Sequence, residues 1–493
     1  MSNIRENPAK QAFKNREIAQ SSLRQKKREM LLSLKRSIED DQLGLTVSEI
    51  EEGAVDRKKK IYRFNEKQKQ AAIQAVERKS NEKAILDALF VFCHSNPLPV
   101  LQNLLILLTH PNTNIVQQTL TVLINWTALD SAYTKNLGST NFIKLLEQIL
   151  YYSSNEEIQR KGIILLNNII SDGGELRDNC FERFKGFISK TLETSKSIEI
   201  IRACTDCLGS LICSEPLIPF SIVEIIINIF KKLLLSNDEQ IIYTCFIGFR
   251  YYFDRDELIS MDEMKDIIIK LWKIIISISS NELFKEYACS FVIILGAVSY
   301  KDSESIIFPF LYENEIIQWL TQKAILYNDL KLQKACFYAI ENLCVDKIYG
   351  TKYCSLLDET NAMKIIINSL VNCSNGIVAN EAIKAFINFF LACGDDELIK
   401  YYNDFTFFIA LRNCINETTK KQLSLSLLIL RRILVKRLED GLSIVSILDS
   451  SQIYSSLIEI KKKSIKIPKI ISLIQEILNA YINEENEESD LSL

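Results

Sequence analysis

Residues 153–172 read Ser-Ser-Asn-Glu-Glu-Ile-Gln-Arg-Lys-Gly-Ile-Ile-Leu-Leu-Asn-Asn-Ile-Ile-Ser-Asp. The polar cluster Ser153-Ser154-Asn155-Glu156 suits a helix cap, and apolar residues then recur at intervals of three and four, the period of one helical face. The run ends on a polar residue, Asn168, flanked by apolar neighbours. The same ending, a small or polar residue among apolar ones, returns at Asn125, Ser210, Tyr251, Ala297, Asn342, Asn388 and Arg432. Successive spacings are 43, 42, 41, 46, 45, 46 and 44 residues.

A period in the forties held over so many intervals is the signature of armadillo and HEAT repeats. One amphipathic helix pair cannot bury its own apolar face, so such units stack. The expected fold is therefore all-α, a right-handed superhelical solenoid whose inner helices line a concave surface. The array runs over 71–478, about nine to ten repeats. Polar breaks such as Ser236-Asn237-Asp238-Glu239 and Ser374-Asn375-Gly376 punctuate it. Composition agrees. Hydrophobic residues make up 47% of the 493, while only 14 Gly and 8 Pro leave little turn chemistry for an all-β protein.

The 13 Cys are scattered through apolar segments such as Ala288-Cys289-Ser290-Phe291. They read as reduced, buried thiols of a cytosolic or nuclear protein. No signal peptide opens the chain, and apolar stretches such as 222–230 and 274–278 are interrupted by charge before they reach membrane-spanning length. No transmembrane segment is expected.

Charge is segregated. Residues 1–36 hold ten Lys/Arg against three Glu, and 484–490 hold five acids and no base. Within the basic arm, Leu23, Leu31, Leu32 and Leu34 mark a helical stripe, and such an arm orders only on a partner. A second basic run, Arg57-Lys58-Lys59-Lys60, follows an acidic spacer containing Glu49, Glu51 and Glu52. The divisions are an arm over 1–40, a linker over 41–70, the array, and a disordered acidic tail over 479–493.

Catalytic and metal constellations are lacking in the sequence. Cys204, Cys207 and Cys213 lie on an expected helix without a His partner, and His94 and His110 are the sole histidines. Ser171-Asp172-Gly173-Gly174 ends a helix and does not open one after a strand, so it is no phosphate loop. No enzymatic activity, cofactor or metal is expected, and the charge of the basic arm by itself leaves nucleic acid, an anionic membrane or an acidic protein open as its partner.

The arm resembles the importin-β-binding segment of the importin-α (karyopherin-α) family. Phe13-Lys14-Asn15, then Leu23-Arg24-Gln25-Lys26-Lys27-Arg28-Glu29, then Leu32-Ser33-Leu34-Lys35-Arg36 follow that family's pattern in register. In the array, Asn167-Asn168-Ile169-Ile170-Ser171-Asp172 with Arg177-Asp178 is similar to the family's Gly-Asn-Ile-Ala-Gly-Asp with Arg-Asp. Residues 202–254, with Pro216, Pro219 and Tyr251, follow the next two repeats. The resemblance covers nearly the whole chain and is strongest from 10 to 260.

The resemblance implies a nuclear import adaptor that shuttles between cytoplasm and nucleus, with no membrane and no direct nucleic-acid partner. Its arm would bind an importin-β-type carrier through Phe13, Lys14, Asn15, Leu23, Arg24, Lys26, Lys27, Arg28, Leu34, Lys35 and Arg36. Its groove would bind basic cargo bearing a nuclear localisation signal, and its C-terminal repeats an export receptor. Lys58, Lys59 and Lys60 would compete with cargo. In the family a Trp precedes each ladder Asn by one turn. The Asn holds the cargo backbone and the Trp rings clamp basic side chains.

Carried over residue by residue, the major groove keeps Asn125 and Asn168, with Ser210 third and Thr134 and Asp172 in the lysine pocket. Thr121, Ile164 and Asp206 replace the Trp residues, and Leu129 replaces a glycine. The minor groove keeps Tyr251, Asn342, Asn388 and the acidic Glu381. Tyr338 replaces one Trp and Lys384 another, and Ala297 stands where Asn is expected. Cargo recognition is therefore altered, weakened or moved to another surface. Two further readings remain open: a dedicated importer of one basic client, or a catenin-like scaffold without a transport role.

Overall fold

The computed structural model describes residues 64–491, apart from short breaks of which 302–306 is the longest. Every regular element among them is a helix. The basic arm and Lys58–Lys60 lie outside the described residues. The helices divide into two units, one ending at Arg255 and the other following it.

Eight helices carry the recurring ladder position. In the first unit they are α1 (Thr113–Leu129), α2 (Glu156–Ser171), α3 (Ile198–Cys213) and α4 (Glu239–Phe253). In the second they are α5 (Asn281–Lys301), α6 (Leu330–Cys344), α7 (Gly376–Ala392) and α8 (Lys420–Glu439). Within each unit successive members pack side by side, and most of the remaining helices pack against them. This is a helical-repeat, solenoid-like arrangement.

Local chemistry sets where these helices start. Asn155 and Asp238 accept the N–H of Ile158 and Ile241, closing the first turns of α2 and α4. Thr419 and Gln422 form a reciprocal capping box at the head of α8. Burial then follows the three-and-four spacing: on α3, Ile200, Cys204, Cys207, Leu208 and Leu211 are all in the core. The described cysteines are free thiols, buried except for half-buried Cys289. Trp126 is fully buried, and Trp319 packs on Trp272 and Phe291 at 5.4 and 5.7 Å. Both therefore belong to the core.

Close approach between neighbours demands glycine at position 248. Phe230, fully buried on the helix Phe220–Leu233, lays its ring against the backbone of Gly248 on α4. A Cβ there would lie 2.7 Å from ring carbon Cδ2. Because the ring has nowhere to retreat, Gly248→Ala is expected to destabilise the first unit by about 1–3 kcal/mol, measured by urea titration.

The array differs from expectation at its ends. Its first helix, Glu66–Glu77, begins before residue 71 because Asn65 and Gln68 make a capping box. Its last, Pro468–Leu491, runs well past 478, into the stretch expected to be disordered. Tyr481 is buried there, stacks on Tyr454 at 4.1 Å and donates to Asp449, while Glu484 accepts the Ile444 N–H. These contacts supply the packing that an isolated acidic segment lacks.

Candidate functional site

The ladder residues come to one stripe on each unit because positions spaced by a whole repeat occupy equivalent turns of packed helices. Their side chains are engaged within the protein. In the first unit the Asn125 amide donates to the Cys93 carbonyl at 3.4 Å. The Asn168 amide donates to the Ile124 carbonyl at 3.1 Å and to Thr127 Oγ1 at 3.0 Å. In the second unit Asn388 donates to the Glu341 carbonyl at 3.0 Å, and Asn342 to the Tyr338 carbonyl of its own helix at 3.0 Å. Arg432, the last of the series, reaches the Phe390 and Cys393 carbonyls and pairs with Asp395 at 2.6 Å.

A shared logic links Asn125, Asn388 and Arg432. Cys93, Glu341 and Phe390 lie in the last turn of the preceding helix, where carbonyls have no partner within the helix. A ladder donor from the next repeat meets them. Each such bond is worth about 0.5–1.5 kcal/mol and fixes one repeat against the next.

Around Asn168 the structure assembles residues that the sequence lists far apart. Thr127 receives the Asn168 amide, and the Thr127 carbonyl receives the hydroxyl of Thr134 at 3.4 Å. Thr134 is fully buried and Asn168 is 8% exposed, so the two belong to one interior network. Asp172 is half-buried at the C-cap of α2, where its N–H donates to the Ile169 carbonyl. Ser210 and Tyr251 are buried on α3 and α4. Thr127, two residues past Asn125, was missed because a lone Thr near a helix end carries no periodic signal.

The positions one turn before the ladder are likewise stitched across helices. Asp206 on α3 accepts from Thr244 at 2.8 Å and Gln240 at 3.3 Å, both on α4. Thr121 on α1 receives the ammonium of Lys161, a residue of α2 that the motif comparison did not single out. Arg202 grips Asp238, the α4 cap, and this pairing holds the carboxyl of Asp238 below its ordinary range. Ile164 is half-exposed, with no polar group to offer.

In the second unit Tyr338 lays its ring against Gly296 of α5, where a Cβ would come within 2.7 Å of it. Lys384 pairs with Glu381 at 3.2 Å, and Glu381 is only 8% exposed. The acid expected to meet a basic partner is thus matched by the chain's own lysine. Among the described residues, no group of three His, Cys, Asp or Glu gathers as a metal site. No described helix is long and apolar enough to cross a membrane.

A buried arginine ties the connection that carries Pro216 and Pro219. Arg177 is 1% exposed, donates to the carbonyls of Ser214 and Pro216 and to the Ser214 hydroxyl, and pairs with Asp178 at 2.7 Å. Arg255 reaches the Ile218 carbonyl of the same connection at 2.7 Å. The Arg177-Asp178 pair entered the sequence comparison as a motif; its clamp on a loop some forty residues on did not.

No protein-family model matches the chain, and no curated protein matches it. Solved structures do share its fold. An engineered protein superposes with a TM-score of 0.56 at 17% identity, covering 84% of this chain and 95% of that one. A structure from work on a phosphorylation switch controlling the interaction between cadherin and beta-catenin gives 0.51 at 14% identity, covering 84% and 91%. At such identities the likeness is one of fold: this chain is similar to known helical proteins in architecture alone.

Proposed function

We propose that this chain is a non-enzymatic nuclear import adaptor, a right-handed armadillo superhelix whose basic arm is taken by an importin-β-type carrier and whose concave ladder face carries a protein client. The observation that carries this reading is the ladder itself, polar side chains at repeat spacing along one stripe of packed helices in each unit. The ordered match of Phe13–Arg36 supports the carrier. A beta-catenin structure among the fold neighbours supports protein binding as the use of the face.

A specific feature favours the dedicated-client form of this reading over a general receptor for basic signals. The amides of Asn125, Asn168 and Asn388 already donate to the preceding repeat, and Lys161 and Lys384 stand among the ladder carboxylates. A peptide backbone would have to displace the first set, and a basic side chain would meet like charge from the second. The client is then recognised by contacts particular to it.

Titrating a labelled lysine-rich nuclear localisation signal peptide into protein lacking residues 1–63, at low and high salt, decides between the two forms. Cutting at 63 keeps the Asn65 cap. The expected dissociation constant is weaker than about 10 µM, that is, less than about 7 kcal/mol of binding. Tighter binding that disappears with Asp172→Lys would establish the general receptor instead.

A further inference from the structure

One group on the ladder stripe is an ammonium inside a polar cradle. Lys161 lies two turns before Asn168 on the same face of α2, and its side chain is 3% exposed. Its Nζ donates to Thr121 Oγ1 at 2.8 Å and to the Gln117 carbonyl at 3.4 Å, and lies 3.6 Å from Glu157 Oε1. An ammonium has three hydrogens and no acceptor; here a hydroxyl and a carbonyl take hydrogen bonds from it and a carboxylate beside them supplies the opposite charge, in place of its water.

The rest of the surroundings holds that set in place. Arg160 binds both oxygens of Glu157 at 2.7 Å, fixing the carboxylate. Gln117, whose carbonyl takes part, also bonds through its amide to Asn155, the α2 cap, at 3.3 Å. Burial pushes the Lys161 ammonium below its usual pKa while Glu157 opposes the shift, as for a cation kept in a confined site. In the second unit Lys384, four residues before Asn388, bonds to buried Glu381 at 3.2 Å. The chain has placed its own cation on the ladder stripe of each unit.

We propose that the cleft between α1 and α2 is a primary-alkylammonium site filled in cis by Lys161, so that this step of the ladder face excludes a partner's lysine. The site stands on geometry alone; its consequence for partner choice rests on the adaptor reading. Lys161 is thus a specificity residue: it removes one place where a basic signal would otherwise gain affinity, and leaves a partner to present a small or neutral side chain there.

The test uses the full-length chain and propylammonium, the fragment missing from Lys161→Ala. Thermal unfolding of Lys161→Ala is expected to shift up saturably, by about 3 °C or more at ten times the dissociation constant. Wild type and Lys161→Met, whose clefts are filled, should show no such shift, and neither should any variant in tetramethylammonium at equal ionic strength. An equal response in all three proteins, or none in Lys161→Ala, would overturn the site. Should Lys161→Ala fail to fold alone, refolding in about 0.1 M propylammonium must recover it; failure to recover overturns the site equally. A fluorescent tetralysine probe should bind Lys161→Ala about tenfold more tightly than wild type, roughly 1.4 kcal/mol. Propylammonium rescue without that gain would keep the site and refute its role in partner choice.

Discussion

Arg177→Ala is expected to lower the stability of the first unit by about 3–5 kcal/mol, the largest single-residue effect anticipated in that unit. The side chain is 1% exposed and donates to three acceptors in the Ser214–Pro216 connection. Truncation would strand the buried carbonyl and hydroxyl of Ser214 and open a void the size of a guanidinium, while the exposed Pro216 carbonyl regains water. Asp178, with its side chain 53% exposed, regains water and adds little to the cost. Arg177→Lys should recover less than half of the loss, because one ammonium cannot span acceptors that a planar fork reaches together. Trp126, the one tryptophan before residue 255, reports on this unit once Trp272 and Trp319 are changed to Phe. A denaturant midpoint that moves by less than about 1 kcal/mol equivalent would mean that the connection is held by its prolines and not by the clamp.

Reversing Arg24, Lys26, Lys27 and Arg28 to Glu is expected to weaken capture by an importin-β-type carrier by more than about 100-fold, or about 2.7 kcal/mol. Those residues form the densest part of the arm, and a carrier that receives it must meet guanidinium and ammonium groups with carboxylates. Reversal replaces four attractions by four repulsions within five consecutive positions. The effect should grow at low salt, where screening is weakest, and the helical array should melt unchanged. Capture that survives the reversal would remove the arm assignment and leave the scaffold reading in its place.

Much of the fold is legible in local patterns. A cap such as Asp238 or Thr419, followed by apolar residues at three and four, starts a helix whatever lies around it. The repeat spacing from Asn125 to Arg432 places eight helices in register before any contact is known. Trp126 and Trp319, large and apolar, lie in the core. The ends were less readable: Tyr481 and Glu484 are held by Tyr454, Asp449 and Ile444, more than twenty residues earlier in the chain.

The candidate site divides along the same line. Amino-acid order alone established that amides recur at ladder positions and that lysine stands at position 384 where a ring was expected. It could not say where those amides point. That choice depends on whether the preceding helix offers a carbonyl within about 3 Å, a property of two helices meeting across forty residues of chain. Tertiary structure turned Asn125, Asn168 and Asn388 toward their neighbours, buried Thr134 in the same network, and closed Gln117, Thr121 and Glu157 around Lys161. Helix propensity and hydrophobic period are properties of a segment and can be read from it. The partner of a buried polar group is a property of packing, because a desolvated donor takes whichever acceptor the fold brings to it.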